Sequence, residues 1–68
     1  AGLMPALGAW VLDRALADSK RWPGLQVAIN LSPVQMRHVD LRPLLVDLLR
    51  KHDADPRQIV LELTEGVL

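Results

Sequence analysis

The sequence predicts an α/β fold built on one βαβ unit, with a further helix ahead of it. Three observations carry that prediction. Two short runs dominated by Val, Ile and Leu, at residues 25–31 and 59–64, have strand character. A leucine stripe of helical period lies between them. Thirty-two positions separate Asn30 from Glu62, the spacing of a unit whose crossover should be right-handed and should leave its strands parallel.

The first helix is expected from Pro5 to about Arg21. Leu7, Val11 and Ala15 recur every fourth residue beside Leu12 and Leu16, and Pro5 falls in a first-turn position that tolerates proline. Pro23-Gly24 should end it, and Trp10 and Trp22 read most simply as core or rim side chains. In the first strand Val27, Ile29 and Leu31 share one face while Ala28 and Asn30 share the other. In the second, Ile59, Leu61 and Leu63 oppose Val60, Glu62 and Thr64. Helices are expected over the aliphatic faces, and the small or polar faces are not expected to meet solvent.

Pro33 biases Ser32 away from helical geometry and can open a short helical turn, so the strand stops once Asn30 has been presented. Asp40 suits the N-cap of the second helix. Leu41, Leu44, Leu45, Leu48 and Leu49 follow the i, i+3, i+4, i+7, i+8 pattern, and Pro43 sits harmlessly in the first turn. The helix should end around His52-Asp53, and Asp55-Pro56 should make a tight connection into the second strand.

Sixty-eight residues, half of them apolar, bound the chain to one small packed unit with marginal stability. Eight basic residues balance eight acidic ones, which argues against a nucleic-acid polymer or an anionic membrane as partner. With no cysteine, disulfides and thiolate zinc sites are excluded. No apolar run is long enough to span a bilayer. The chain opens at Ala1-Gly2 and stops at Gly66-Val67-Leu68 where a new helix would start, so residues 1–68 are expected to be part of a larger domain, cut at both ends.

Asn30 and Glu62 fall on equivalent faces near the carboxyl ends of their strands. In parallel barrels and open α/β sheets alike, that end carries the chemistry. An amide carbonyl and a carboxylate there are hard oxygen donors of the kind Mg²⁺ or Mn²⁺ accepts, although such an ion wants about six. By spacing alone, a turn-forming Asn and an ion-pairing or capping Glu explain the pair as well. His38 and His52 have no second His or Cys at ligand spacing and read as solvated or capping residues. Arg37 reads as a surface arginine, and the helix charges as solvated faces.

Asn30-Leu31-Ser32 followed by Gln35, preceded by Val27 and by Trp10-Val11-Leu12 with Trp22, resembles the EAL domain family of cyclic di-GMP phosphodiesterases. Leu61-Glu62-Leu63-Thr64-Glu65, with Pro56 shortly before it, resembles the family's ExTE motif. The resemblance runs through nearly the whole chain and covers about a quarter of a barrel of this class. It implies a fragment of a modified TIM-type (β/α)₈ barrel, with Asn30 and Glu62 as direct metal ligands and Glu65 bracing a loop near the metals. Ser32, Gln35 and Thr64 would orient or support the loops. It further implies a two-metal Mg²⁺ or Mn²⁺ site that hydrolyses cyclic di-GMP to linear pGpG, in a cytoplasmic protein whose membrane anchor, if any, lies elsewhere; members of the family are often joined to GGDEF or sensory domains.

The Glu-Ala-Leu signature, the paired aspartates, the catalytic lysine and the late glutamate of the family have no counterpart here, so the 68 residues alone are expected to be inactive. Gly66 stands where many members have Ser. A degenerate member that binds cyclic di-GMP or a protein partner without hydrolysis is the alternative, and an unrelated βαβ scaffold is a second. Two strands also leave unpaired edges, which a second copy could cover in a homo-oligomer.

Overall fold

The computed structural model describes residues 3–33 and 40–63, with side chains from residue 7 onward. The order is helix α1 (Leu3–Ser19), strand β1 (Val27–Leu31), helix α2 (Leu41–His52), a 3₁₀ turn (Pro56–Gln58) and strand β2 (Ile59–Leu63). This is the expected helix-strand-helix-strand order. The strands pair in parallel, with Val27 opposite Ile59 and Leu31 opposite Leu63.

Both helices lie on the aliphatic face of the sheet. Leu12 and Leu16 of α1, Ile29 and Leu31 of β1 and Leu48 of α2 form the buried core, flanked by Val11, Ala15, Leu44, Leu45, Ile59 and Leu61. The alternation in β1 is as read: Ile29 and Leu31 are buried, Ala28 and Asn30 exposed. Two expectations fail at the margins. The Asn30/Glu62 face meets solvent, because both helices take the other side and no described residue covers it. Leu63, on the aliphatic face, is 63% exposed although its partner Leu31 is fully buried; it closes the strand beyond the helical cover.

Helix α1 already runs at Leu3, since a proline in the first turn gives up no intrahelical bond and sets no boundary. It ends at Ser19, earlier than the proline-glycine signal. The Ser19 hydroxyl donates to the Leu16 carbonyl, and the amides of Lys20, Arg21 and Trp22 each donate three residues back, tightening the last turn. Trp22-Pro23-Gly24-Leu25 is then a separate turn. Leu25 N donates to Trp22 O at 3.1 Å, and Gly24 takes φ +86°, the third-position geometry of a type II turn. Trp10 and Trp22 are 61% and 51% exposed, so neither belongs to this core.

Helix α2 has the caps its sequence requires. Asp40 accepts from Arg42 N at its start. At its end Asp53 takes the left-handed conformation, while Asp53 N donates to Arg50 O and Ala54 N to Leu49 O. Those two bonds are the Schellman pattern, carried by aspartate where glycine is usual. Asp55 then accepts from Arg57 N and caps the 3₁₀ turn.

Charged side chains also tie the elements together, contrary to the expectation of merely solvated faces. Asp13 of α1 receives Lys51 Nζ at 2.9 Å and His52 Nε2, both from α2. His52 is thus neither a cap nor a solvated ring; an ionised carboxylate only accepts, so its Nε2 carries the proton. The hydrogen bonds from His52 and then Lys51 hold the Asp13 carboxyl below its ordinary 3.8. Lys20 Nζ donates to the Asp53 carbonyl at 2.7 Å, joining the ends of the two helices.

Candidate functional site

Parallel pairing sets Asn30 directly opposite Glu62. Each is the fourth residue of a five-residue strand, so the two rise to the same level near the carboxyl end, on adjacent strands about 4.8 Å apart. Alternation sends both side chains to the exposed face. The level below them on that face holds Ala28 and Val60, and small Ala28 crowds nothing beside Asn30. Neither Asn30 nor Glu62 is engaged in a hydrogen bond or ion pair with a described residue, and the amide and the carboxylate stand side by side.

That donor set fits a hard divalent cation in kind and supplies two of about six oxygens. No cluster of three or more His, Cys, Asp or Glu exists among the described residues to complete a shell. Ser32, half-buried just past β1, has a polar interaction of its own, and Pro33 beyond it takes helical backbone geometry as expected. Gln35, Thr64 and Glu65, together with Arg37 and His38, lie outside the described residues. Two surface hollows lie away from the pair: one of about 240 Å³ against Trp10 and Asp13, one of about 350 Å³ between Lys20, Gly24, Asp53 and Gln58.

The opposite end of the sheet holds a residue that sequence reasoning missed. Gln58, the last residue before β2, is buried, and its Nε2 donates to three main-chain carbonyls: Trp22 at 2.7 Å, Leu25 at 2.8 Å and Ser19 at 3.3 Å. These are the carbonyls of the α1–β1 connection, which has no sheet partner of its own. A tight turn between helix and strand leaves acceptors needing a donor; that need was the available signal, and it does not say which residue meets it. Nearby, the Arg57 guanidinium bonds both Asp55 oxygens and, with the Arg57 amide, lowers the Asp55 carboxyl pKa.

A βαβ unit with both helices on one face and an amide and a carboxylate side by side at its strand ends is of the parallel α/β class. The chain belongs to the EAL domain family, whose model matches residues 1–68. Its α/β architecture is that of a fragment of the TIM-barrel-like EAL domain, a family associated with cyclic di-GMP signalling. The chain is 43% identical over 68 residues to an uncharacterized signaling protein of Caulobacter vibrioides, covering 98% of this chain and 8% of that protein. It is 36% identical to the signaling protein YkoW of Bacillus subtilis, over 97% of this chain and 9% of the relative. It is 33% identical to the bifunctional diguanylate cyclase/cyclic di-GMP phosphodiesterase MucR of Pseudomonas aeruginosa, over 96% of this chain and 10% of the relative. The chain therefore spans a tenth or less of the length of these curated relatives. No solved structure matches it significantly.

Proposed function

We propose that these residues contribute two metal ligands, Asn30 and Glu62, to a phosphodiesterase that hydrolyses cyclic di-GMP to linear pGpG, the remaining ligands and the general base coming from a larger EAL barrel. The observation that carries this reading is the register: Asn30 stands opposite Glu62, exposed at the carboxyl end of paired parallel strands. A structural Asn or Glu at a strand end earns its place by capping or ion pairing, and neither does so with a described residue.

In this reading Asn30 presents its amide oxygen and Glu62 its carboxylate to Mg²⁺ or Mn²⁺, while the rigid sheet holds the two at one height. The chemistry supplied when such ions are bound is acidification of a water nucleophile and stabilisation of charge on the phosphoryl and leaving oxygens. Glu65 braces the following loop, with Thr64, Ser32 and Gln35 as loop support. The MucR relative bears both diguanylate cyclase and phosphodiesterase in its name, which supports an attached GGDEF domain in the protein that carries this segment.

The test is cyclic di-GMP turnover by the full-length protein with Mg²⁺ or Mn²⁺, beside Asn30→Ala and Glu62→Ala. Each substitution is expected to abolish pGpG formation while the protein stays folded. Full turnover by both variants would sink the ligand assignment. Tight nucleotide binding by the wild type without product would assign a receptor instead of a hydrolase.

A further inference from the structure

We propose that Gln58 is a positioning residue for the Asn30/Glu62 pair: its side-chain amide fixes the register of β1 against β2 and so keeps the two oxygen donors level. This deepens the proposed function and rests on it.

The argument starts from what the strand sequences leave undetermined. A parallel pair slipped by one residue would turn the aliphatic face of one strand to solvent, and the hydrophobic pattern forbids that. A slip of two residues keeps every facing intact. Val27, Ile29 and Leu31 on one strand and Ile59, Leu61 and Leu63 on the other are nearly interchangeable as core contacts, so the alternation penalises such a slip weakly. Its effect at the carboxyl end would be large. Ala28 or Ser32 would stand beside Glu62, and Asn30 would move by about 6.6 Å, two strand residues, beyond sharing an ion with it.

The mark that distinguishes the observed register lies at the other end of the sheet. Gln58 immediately precedes β2, and the Leu25 carbonyl that it binds at 2.8 Å lies two residues before the start of β1. The same Nε2 holds Trp22 O and Ser19 O, so the turn leading into β1 is fixed as a body against the start of β2. Val27 and Ile59 pair directly above this clamp. Asn30 lies three residues beyond Val27 and Glu62 three beyond Ile59, so equal strand lengths carry the alignment upward, roughly 10 Å, to the donor pair. A slip of two residues would pull Leu25 O out of reach of Gln58 and leave that carbonyl without this donor in a part-buried site, while Trp22 O and Ser19 O keep the amides of Leu25 and Trp22.

The experiment uses the full-length protein with Mn²⁺ itself as the probe, its affinity read by electron paramagnetic resonance titration and the thermal midpoint recorded beside it. Gln58→Met keeps length and bulk without a donor, and Mn²⁺ binding is expected to weaken roughly tenfold or more, the scale seen when a group supporting a metal ligand is removed. Gln58→Arg restores donors to the three carbonyls and is expected to recover affinity close to wild type. Leu48→Ala removes buried volume from the core face of α2 without touching any of the clamp's hydrogen bonds, and is expected to lower the thermal midpoint with Mn²⁺ affinity unchanged. If Gln58→Met does not fold, Gln58→Asn, one methylene too short to reach all three carbonyls, takes its place with the same expected direction. Wild-type affinity in a folded Gln58→Met or Gln58→Asn protein overturns the proposal. So does an equal loss in Leu48→Ala at a matched midpoint, which would make Gln58 one stabilising residue among others. If Asn30→Ala and Glu62→Ala leave Mn²⁺ binding intact, the metal reading falls and the positioning role with it; if they weaken it and Gln58→Met does not, the metal reading stands and only the positioning role falls.

Discussion

The two ends of the β1–β2 sheet are built on opposite terms. At the amino end almost every polar group is spoken for: Gln58 serves three carbonyls, Asp55 caps the 3₁₀ turn and binds Arg57, and Lys20 reaches the Asp53 carbonyl. At the carboxyl end Asn30 and Glu62 are exposed and make no hydrogen bond or ion pair with a described residue. Satisfied polar groups stabilise, and unsatisfied ones exposed at a fixed position are available to something else. The difference sets the stabilising contacts at the amino end of the strands and exposed oxygen donors at the carboxyl end, the arrangement that whole barrels use.

Substitutions at the two ends should therefore behave differently, and the contrast can be broken. The largest effect expected is at the amino end. Gln58→Met strips the side-chain donor from the Leu25 carbonyl and a second donor from Trp22 O and Ser19 O, which keep their backbone partners, and should cost about 2 kcal/mol in urea unfolding, the scale of one buried acceptor left unpaired. A loss no greater than that of a surface substitution would remove the clamp from the account. Gly24→Ala comes next, at about 1 kcal/mol. A methyl there meets no atom within 4 Å, so the cost is that of φ +86° alone for a residue with a Cβ. At the carboxyl end, Asn30→Ala and Glu62→Ala should each change stability by less than about 0.5 kcal/mol; a marked destabilisation by either would mean that the upper end is structural as well.

The smallest effect concerns acid. His52 and Lys51 depress the Asp13 carboxyl, and Arg57 depresses Asp55. A carboxyl whose folded pKa lies below its unfolded value adds stability that is present above that unfolded value and lost as pH falls through the folded one. The wild-type urea midpoint should thus fall on acidification below about pH 4, and Asp13→Asn should flatten that fall. An unchanged acid limb in Asp13→Asn would show that the α1–α2 bridge contributes nothing to it.

What the sequence made legible follows the reach of each interaction. The leucine stripe, the Asp40 cap, the Asp55-Pro56 connection and the alternation of β1 are written within a few residues of one another, and all four are present, whereas burial in β2 does not alternate. The pairing of Asn30 with Glu62 was legible because two periodic strands and one helix of ordinary length leave few ways to meet. Gln58 was not, because its partners lie 33 to 39 residues away and a glutamine after Pro-Arg reads as surface. The Asp13–His52 bridge hid for the same reason, across 39 residues. The end of α1 was misplaced because Ser19 stops the helix through its own hydroxyl before the Pro23-Gly24 signal acts.

The parallel register also has a consequence in time. Val27 can meet Ile59 only by closing a loop of some thirty residues, an entropic cost that the local bonds of a helix never incur. The bonds and caps of helix α2 are all local within that loop, whereas the Gln58 clamp and the Asn30/Glu62 pair both require its closure. The two ends of the sheet, so different in their bonding, therefore depend on one and the same loop closure. A chain that has formed its helices but has not closed that loop holds neither the clamp nor the aligned donors.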